Sequence, residues 1–367
     1  MKFTIQREVL LKQLQHVVSV VSKKSTMPIL SNVNVRAEES GIRMTGTDTE
    51  VEVTSKATAD SVDRHGAATI PARKLHDIAR ALPQGAIVKV ACEEGKATVS
   101  SGRSRFTLST LPSDDFPSSD SVETIETVNI ADAVLSELID RTAFAMAQND
   151  VRYYLNGMLF DLGEGKLTCV ATDGHRLAIC DADVERESSE RRQIIIPRKG
   201  ILELQRMLDG GESVVSLGIG KTHIRVDIGD VVFTSKLIDG RYPDYENVIP
   251  KGADETAKVG REALKAALQR ANILANEKLR AVRCEFRSAS IKVIAHNVEQ
   301  EEANEEVDAE SIIQQMVIGF NVTYLLDAIS ALREDEVVIS LRDETSSALI
   351  CEASNSRCRH VVMPMRV

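Results

Sequence analysis

Apolar positions along this chain alternate in short stretches and then shift to a three-and-four spacing, and the same succession runs three times. Residues 2–5 alternate, and Leu10, Leu11, Leu14, Val17, Val18 and Val21 follow at helical spacing over 8–21. Residues 127–130 lead into Leu135, Leu138, Ile139 and Ala143, and 257–259 into Leu264, Ala267, Leu268, Ala271 and Leu274. A second helical pattern closes on Leu82, on Leu208 and on Leu332, and the first two open on the similar runs Ile70-Pro71-Ala72-Arg73-Lys74 and Ile196-Pro197-Arg198-Lys199. These leucines lie 126 and 124 residues apart. That period is too long for a solenoid repeat and matches a whole domain. Strands are predicted at 29–35, 155–160 and 281–286, at 44–53, 168–180 and 291–307, at 87–90, 214–217 and 337–341, and at 105–108, 231–236 and 360–363. Asp173-Gly174 between two apolar stretches predicts a hairpin turn. Each copy therefore reads as α+β, with two helices laid on antiparallel sheet. Polar linkers at 112–126 and 250–257 divide the chain into domains at 1–125, 126–251 and 252–367.

Composition changes this picture little, but charge changes it more. No apolar run approaches the roughly 20 residues of a membrane span, and the N-terminus has no signal-peptide core. The six cysteines form no metal-like cluster, so free thiols in a reducing cytoplasm are expected. The net charge of −10 argues against a nucleic-acid binder. Its distribution argues the other way, because the helices are net positive on approximate bounds. Arg73 and Arg80 oppose the Leu75/Ile78/Leu82 stripe, Arg261 and Lys265 are four apart, and Arg198, Lys199 and Arg206 share a helix. The helix with Asp132, Glu137, Asp140 and Arg141 runs against the trend. A basic strand carries Arg103 and Arg105 with Phe106 and Leu108, and an acidic one carries Glu299, Glu301, Glu302, Glu305 and Glu306. A head-to-tail contact between two molecules would join them and hide two sheet edges.

Catalytic chemistry is poorly served. Asp173, His175 and Arg176 cluster on one tight turn, yet no nucleophile accompanies them, and no phosphate loop or metalloprotease motif occurs. An enzyme built on His175 and Asp173 is one alternative; a ring-like adaptor with no DNA function is another.

Four runs carry a resemblance: Asp150-Val151-Arg152-Tyr153-Tyr154-Leu155-Asn156-Gly157-Met158, Ala171-Thr172-Asp173-Gly174-His175-Arg176-Leu177, Ile196-Pro197-Arg198-Lys199-Gly200 and Val361-Val362-Met363-Pro364-Met365-Arg366-Val367. They resemble the β subunits of bacterial DNA polymerase III, the sliding-clamp family, and the likeness spans all three repeats. It implies a head-to-tail homodimeric ring, without cofactor or catalysis, that encircles duplex DNA without sequence preference and tethers the polymerase. Implied DNA-facing positions are Lys24, Arg73, Gln148, Asn149, Tyr153 and Tyr154. Lys24 stands where arginine is common, which loses bidentate phosphate geometry. The resemblance implies a groove for peptides of the polymerase α subunit, the clamp-loader δ subunit and repair proteins. Its matching positions are Leu155, Thr172, Gly174, His175, Arg176, Leu177, Pro243, Val248, Asn321, Tyr324, Ser347, Val361, Val362, Met363, Pro364, Met365 and Arg366. Leu279 and Thr345 depart from the residues common there. The implied dimer interface sets Ile78, Leu82, Arg103, Phe106 and Leu108 against Ile273, Leu274, Glu299, Glu301, Glu302 and Glu305. The implied setting is cytoplasmic, at the nucleoid, with no membrane.

Overall fold

The computed structural model describes residues 1–22, 26–117, 123–163, 165–186, 188 and 190–366. Among them are six α-helices, each starting where a strand ends. They are α1 (Arg7–Val18), α2 (Ala72–Ala81), α3 (Asp132–Asp140), α4 (Arg198–Met207), α5 (Arg261–Asn272) and α6 (Val322–Ala331). The predicted apolar stripes are the buried faces: Leu10, Leu14 and Val17 on α1, Leu75 and Ala79 on α2, Leu264, Ala267, Leu268 and Ala271 on α5, Leu325, Ala328 and Ile329 on α6. Asn321 caps α6, its side-chain oxygen accepting from the N–H groups of Thr323 and Tyr324. Helices α1, α2, α4 and α5 are net basic; α3 and α6 are net acidic.

Three predicted strands each resolve into two. Residues 44–53 become Gly41–Thr47 and Val51–Ala57, 168–180 become Lys166–Thr172 and Arg176–Asp183, and 291–307 become Ser290–His296 and Glu302–Ser311. The cause is the same each time: a short polar side chain takes over backbone donors and turns the chain. Asp48 Oδ1 accepts from Glu50 and Val51 N–H, Asp173 Oδ1 from His175 and Arg176 N–H, and Asn297 Oδ1 from Glu301 N–H. Two other predicted strands begin late, behind the 3-10 turns Pro28–Ser31 and Tyr153–Leu155.

The chain forms two compact units, residues 1–133 with 202–237, and residues 134–201 with 238–367. In the first, a five-stranded sheet runs Ser61–Arg64, Lys2–Gln6, Ile87–Glu93, Lys96–Ser101, Ser104–Ser109. An eight-stranded sheet runs Thr124–Ala131, Val214–Gly220, His223–Ile228, Val231–Lys236, Val51–Ala57, Gly41–Thr47, Asn32–Glu38, Gly66–Pro71. Helix α1 packs on α2 and on strands Gly41–Thr47 and Val51–Ala57. Gly46 permits that approach, since a Cβ there would stand 2.7 Å from the Val17 carbonyl oxygen.

The second unit holds one twelve-stranded sheet. Its order is Arg192–Pro197, Gly157–Gly163, Lys166–Thr172, Arg176–Asp183, Cys358–Val362, Ala348–Glu352, Glu336–Leu341, Glu255–Gly260, Glu302–Ser311, Ser290–His296, Ala281–Arg287, Gln315–Asn321. Neighbouring strands in all three sheets pair antiparallel.

One joint recurs. In the first unit, Val231–Lys236 of the second repeat pairs with Val51–Ala57 of the first, from Val231↔Ser55 to Ser235↔Val51. In the second unit, Cys358–Val362 of the third repeat pairs with Arg176–Asp183 of the second, from Arg176↔Val362 to Cys180↔Cys358. The closing strand of one repeat thus extends the sheet of the repeat before it. A buried ion network reinforces the second joint. Arg141 donates to Glu352 at 2.9 Å and pairs with Glu137 at 2.7 Å, and the Arg333 N–H donates to Glu352 at 2.7 Å. Arg141 and Glu352 side chains are 7% and 2% exposed, so neither charge has water to fall back on.

The expectation of six free thiols needs one correction. Cys180 and Cys358 stand directly opposite across that joint and are bonded to each other, brought together over 178 residues by the pairing of their strands. Cys92, Cys169, Cys284 and Cys351 are free. No helix among the described residues is long and apolar enough to cross a membrane, and no cluster of metal-ligating side chains occurs among them.

Candidate functional site

The second unit brings most of the candidate groove residues onto one surface. Its floor is an apolar cluster with Leu155, Leu177, Tyr242, Tyr245 and Val361 at its centre, extended by Leu159, Val170, Ile179 and Ile195. These side chains come from five neighbouring strands, from the 3-10 turn Tyr153–Leu155 and from the segment after Ile238, so the floor exists only once the second repeat is folded and the third is joined to it. Pro243 and Val248 are exposed beside it, as is Met363, while Pro364 and Met365 are half-buried. The chain end is held in place: the Met363 N–H donates to the His175 carbonyl at 3.0 Å and the Met365 N–H to Gly319 at 2.7 Å. Ser347 and Asn321 are half-buried, Val362 is buried, and Arg366, Leu279 and Thr345 are exposed.

Arg176 is the polar centre of this surface. Its guanidinium donates to Asp173 at 3.0 Å, to the Phe144 carbonyl at 2.8 Å and to Asp327. It lies 4.5 Å from the Tyr324 ring centroid and 5.2 Å from that of Phe144, within cation–π range. The His175 ring stacks on Tyr324 with centroids 6.4 Å apart. The Thr172 hydroxyl donates to the Arg176 carbonyl at 2.6 Å. Gly174 has φ +88°, and a Cβ there would meet the Arg152 guanidinium at 2.8 Å, so conformation and space both call for glycine. Asp173 commits its carboxylate to two backbone N–H groups and to Arg176 rather than to the His175 ring, which lies against Tyr324, so the two are not paired as the catalytic alternative requires.

The loop with Gln148, Asn149, Tyr153 and Tyr154 is built around Asp150. That carboxylate accepts from the Arg152 backbone N–H at 2.8 Å and from its guanidinium at 3.0 and 2.9 Å, which holds its pKa down at about 2. Asn156 ties both ends, its amide oxygen accepting from Asp150 N–H and its amide nitrogen donating to Asp150 C=O. Asn149 takes the left-handed φ of +59° that asparagine tolerates. Gln148, Asn149 and Tyr153 are exposed, and Tyr154 is half-buried edge-on to Tyr153. Arg73 is exposed on α2 of the first unit. Lys24 lies outside the described residues.

The candidate interface residues occupy two strand edges and two helix ends. Strand Ser104–Ser109 closes one side of its sheet, with Arg103 and Phe106 exposed and Leu108 half-buried. Ile78 is half-buried, and Leu82 is buried in its own unit. Strand Glu302–Ser311 pairs fully with Ser290–His296 on one side, but on the other only its last three residues meet 257–259. Its remaining edge stays open, with Glu299, Glu301 and Glu302 exposed and Glu305 paired to Arg270. Ile273 is 77% exposed just past α5, and Leu274 is half-buried.

Sequence reasoning missed Phe144, Tyr242, Tyr245 and Asp327. The aromatic run Tyr242-Pro243-Asp244-Tyr245, ahead of the second linker, was the available signal for two of them. Nothing in the pattern marked Phe144 or Asp327, which depend on the pairing of distant strands.

Comparison with known proteins agrees with this arrangement. Models of the DNA polymerase III beta subunit match its N-terminal domain to residues 1–120, its central domain to 129–244 and its C-terminal domain to 246–366. The beta sliding clamp of Pseudomonas aeruginosa is 48% identical and that of Escherichia coli K12 46% identical, each over the full length of both chains. A crystal structure of the Pseudomonas aeruginosa clamp superposes with a TM-score of 0.97 at 48% identity and full coverage of both chains. Clamps from Pseudomonas aeruginosa and Bartonella birtlesii bound to griselimycin superpose with TM-scores of 0.97 and 0.95, at 48% and 37% identity, again with full coverage.

Proposed function

The chain belongs to the DNA polymerase III beta subunit family and works as a DNA sliding clamp, a non-catalytic processivity factor, and from that premise we propose how its own residues perform the task. Two copies close head to tail. The supporting observation is the recurring joint: the closing strand of repeat two extends repeat one, and that of repeat three extends repeat two. By the same rule the closing strand of repeat one, Ser104–Ser109, extends repeat three of a second copy along the open edge at 302–308. Basic Arg103 and Arg105 then meet acidic Glu299, Glu301, Glu302 and Glu305, and Phe106 and Leu108 cover Ile273 and Leu274. A heterologous contact of this kind closes into a ring when its rotation allows. The domains are 1–125, 126–251 and 252–367.

Duplex DNA passes through the ring. Arg73, Gln148, Asn149, Tyr153 and Tyr154 face it and touch phosphates weakly, without reading bases. Loose contacts let the ring slide, and closure rather than grip prevents escape. The groove around Leu177, Val361 and Met363 takes short peptides of the polymerase α subunit, the clamp-loader δ subunit and repair proteins, and it also takes griselimycin. A flexible methionine rim suits several partners. The protein operates in the cytoplasm at the nucleoid.

The test is topological. A clamp loader places the protein on nicked circular DNA, and the circle is then linearised. Salt-resistant retention on circles with rapid loss from free ends is expected; equal loss from both forms would end this reading.

A further inference from the structure

One polar cluster beneath the groove wall is required neither by the repeats nor by the groove's apolar chemistry. Asp161, in strand Gly157–Gly163, has a side chain only 3% exposed. Its carboxylate accepts from Arg191 Nε at 3.0 and 3.2 Å, from Arg191 Nη2 at 2.6 Å, from Gln193 Nε2 at 2.8 Å and from the Tyr245 hydroxyl at 3.0 Å. Arg191 Nη2 also donates to Glu246 at 3.0 Å. Burial alone would raise the Asp161 pKa, but the donors from Arg191, Gln193 and Tyr245 outweigh it and hold the group ionised, below its ordinary value. Burial and the Asp161 charge push the Tyr245 hydroxyl the other way, so it stays protonated and donating.

The consequence lies in where Tyr245 sits. Its ring is part of the groove floor together with Tyr242, and Pro243 and Val248 stand on either side of it along the chain. This stretch belongs to no strand or helix beyond the short 3-10 turn Tyr245–Asn247, and its anchoring backbone bond, Ile238 N–H to Ile195 C=O, lies at its start. A tyrosine ring alone would slide along an apolar floor; a hydroxyl bonded to a fixed carboxylate does not.

We propose that Asp161, oriented by Arg191 and Gln193, is a positioning residue for the groove: it fixes the wall at 242–248 and thereby sets peptide affinity without touching the peptide. The inference rests on the groove reading above. Full-length wild type, Asp161→Asn, Tyr245→Phe, Arg191→Lys and the rim variant Met363→Asp are titrated with griselimycin well below their melting temperatures. Asp161→Asn removes the charge that Arg191, Gln193 and Tyr245 share and is expected to weaken binding about tenfold, mostly through faster release, whereas Tyr245→Phe removes a single bond and should cost about threefold. Arg191→Lys keeps the charge but gives up the two-nitrogen grip on Asp161, and is expected to weaken binding less than Asp161→Asn. Wild-type affinity in both Asp161→Asn and Tyr245→Phe, whatever their melting temperatures, would reduce the cluster to a structural brace and overturn the proposal. Should Asp161→Asn fail to fold, Tyr245→Phe decides alone, because it keeps the ring and removes a single bond. Undiminished binding by Met363→Asp would instead refute the groove itself.

Discussion

Strands Arg176–Asp183 and Glu302–Ser311 hold the same place in the second and third repeats, but their surroundings are opposite. The first is paired along both sides and carries a run of buried residues from Leu177 to Cys180. The second is open along most of one side, and its burial alternates between exposed and half-buried with Val307 alone buried. Ser104–Ser109 differs in the same way from its counterpart Val231–Lys236, being exposed at five of six positions where the other is mostly buried. The joint inside the chain is written in apolar residues and the matching outer edges in charges. A joint inside one chain tolerates apolar surface, whereas an open edge, such as the one the proposed head-to-tail closure would cover, would aggregate if it were apolar and uncharged. Charges on such an edge also select the correct partner and speed its arrival.

That contrast is open to direct attack, and the largest effect is expected at the internal joint. Glu352→Ala leaves buried Arg141 with only the partly exposed Glu137 and strips the Arg333 N–H of its acceptor, and should cost about 3 kcal/mol of stability in denaturant unfolding. The double variant Arg141→Met, Glu352→Leu should recover most of it, because well-packed apolar groups replace a buried ion pair at little cost. At the outer edge, Leu274→Asp should leave each chain folded but weaken self-association by on the order of a hundredfold in sedimentation. An unchanged dimer would show that the contact lies elsewhere.

A smaller effect separates the two regions by pH. His360 lies within the internal joint, 5.4 Å from the Phe144 ring, and burial, aided by the Arg141 charge, holds its pKa down at about 3. The unfolded chain takes up a proton below about pH 6.5 that the folded chain refuses, so this contribution is full above that pH and is lost as pH falls. Stability should drop by about 2 kcal/mol on going to about pH 5, and His360→Phe should flatten the profile measured by thermal melts. The smallest effect belongs to the edge charges. Arg103→Glu should slow association by roughly tenfold at low salt and hardly at all at high salt, which stopped-flow mixing would record.

The triplication, the helices and their buried faces were legible because apolar spacing over ten residues reports directly on burial, as Leu264, Ala267, Leu268 and Ala271 illustrate. The strand breaks were not, because Asp48 and Asn297 turn the chain with one side-chain oxygen each and leave the apolar pattern nearly continuous. Strands Lys96–Ser101, His223–Ile228 and Ala348–Glu352 were missed because each is a middle member of a meander, defined by its neighbours more than by itself. Groove positions such as Leu177 and Met363 were legible only through family likeness. Their meeting depends on the pairing of segments some 180 residues apart, which no local pattern encodes. The Asp161 cluster was invisible for the same reason, since Asp161, Arg191 and Tyr245 look like ordinary polar residues until the strands are laid side by side.

The pairing of Arg176–Asp183 with Cys358–Val362 gives Leu177 and Val361 two duties at once. On the proposed groove reading they line the surface that a peptide or griselimycin would occupy, and they stitch two repeats into one body. A microbe seeking resistance has little freedom to alter them, because a change that repels the drug also loosens the seam. Escape should therefore gather at the rim, at Pro243, Val248 and Met363, and compounds that draw most of their affinity from the floor should be the harder ones to evade.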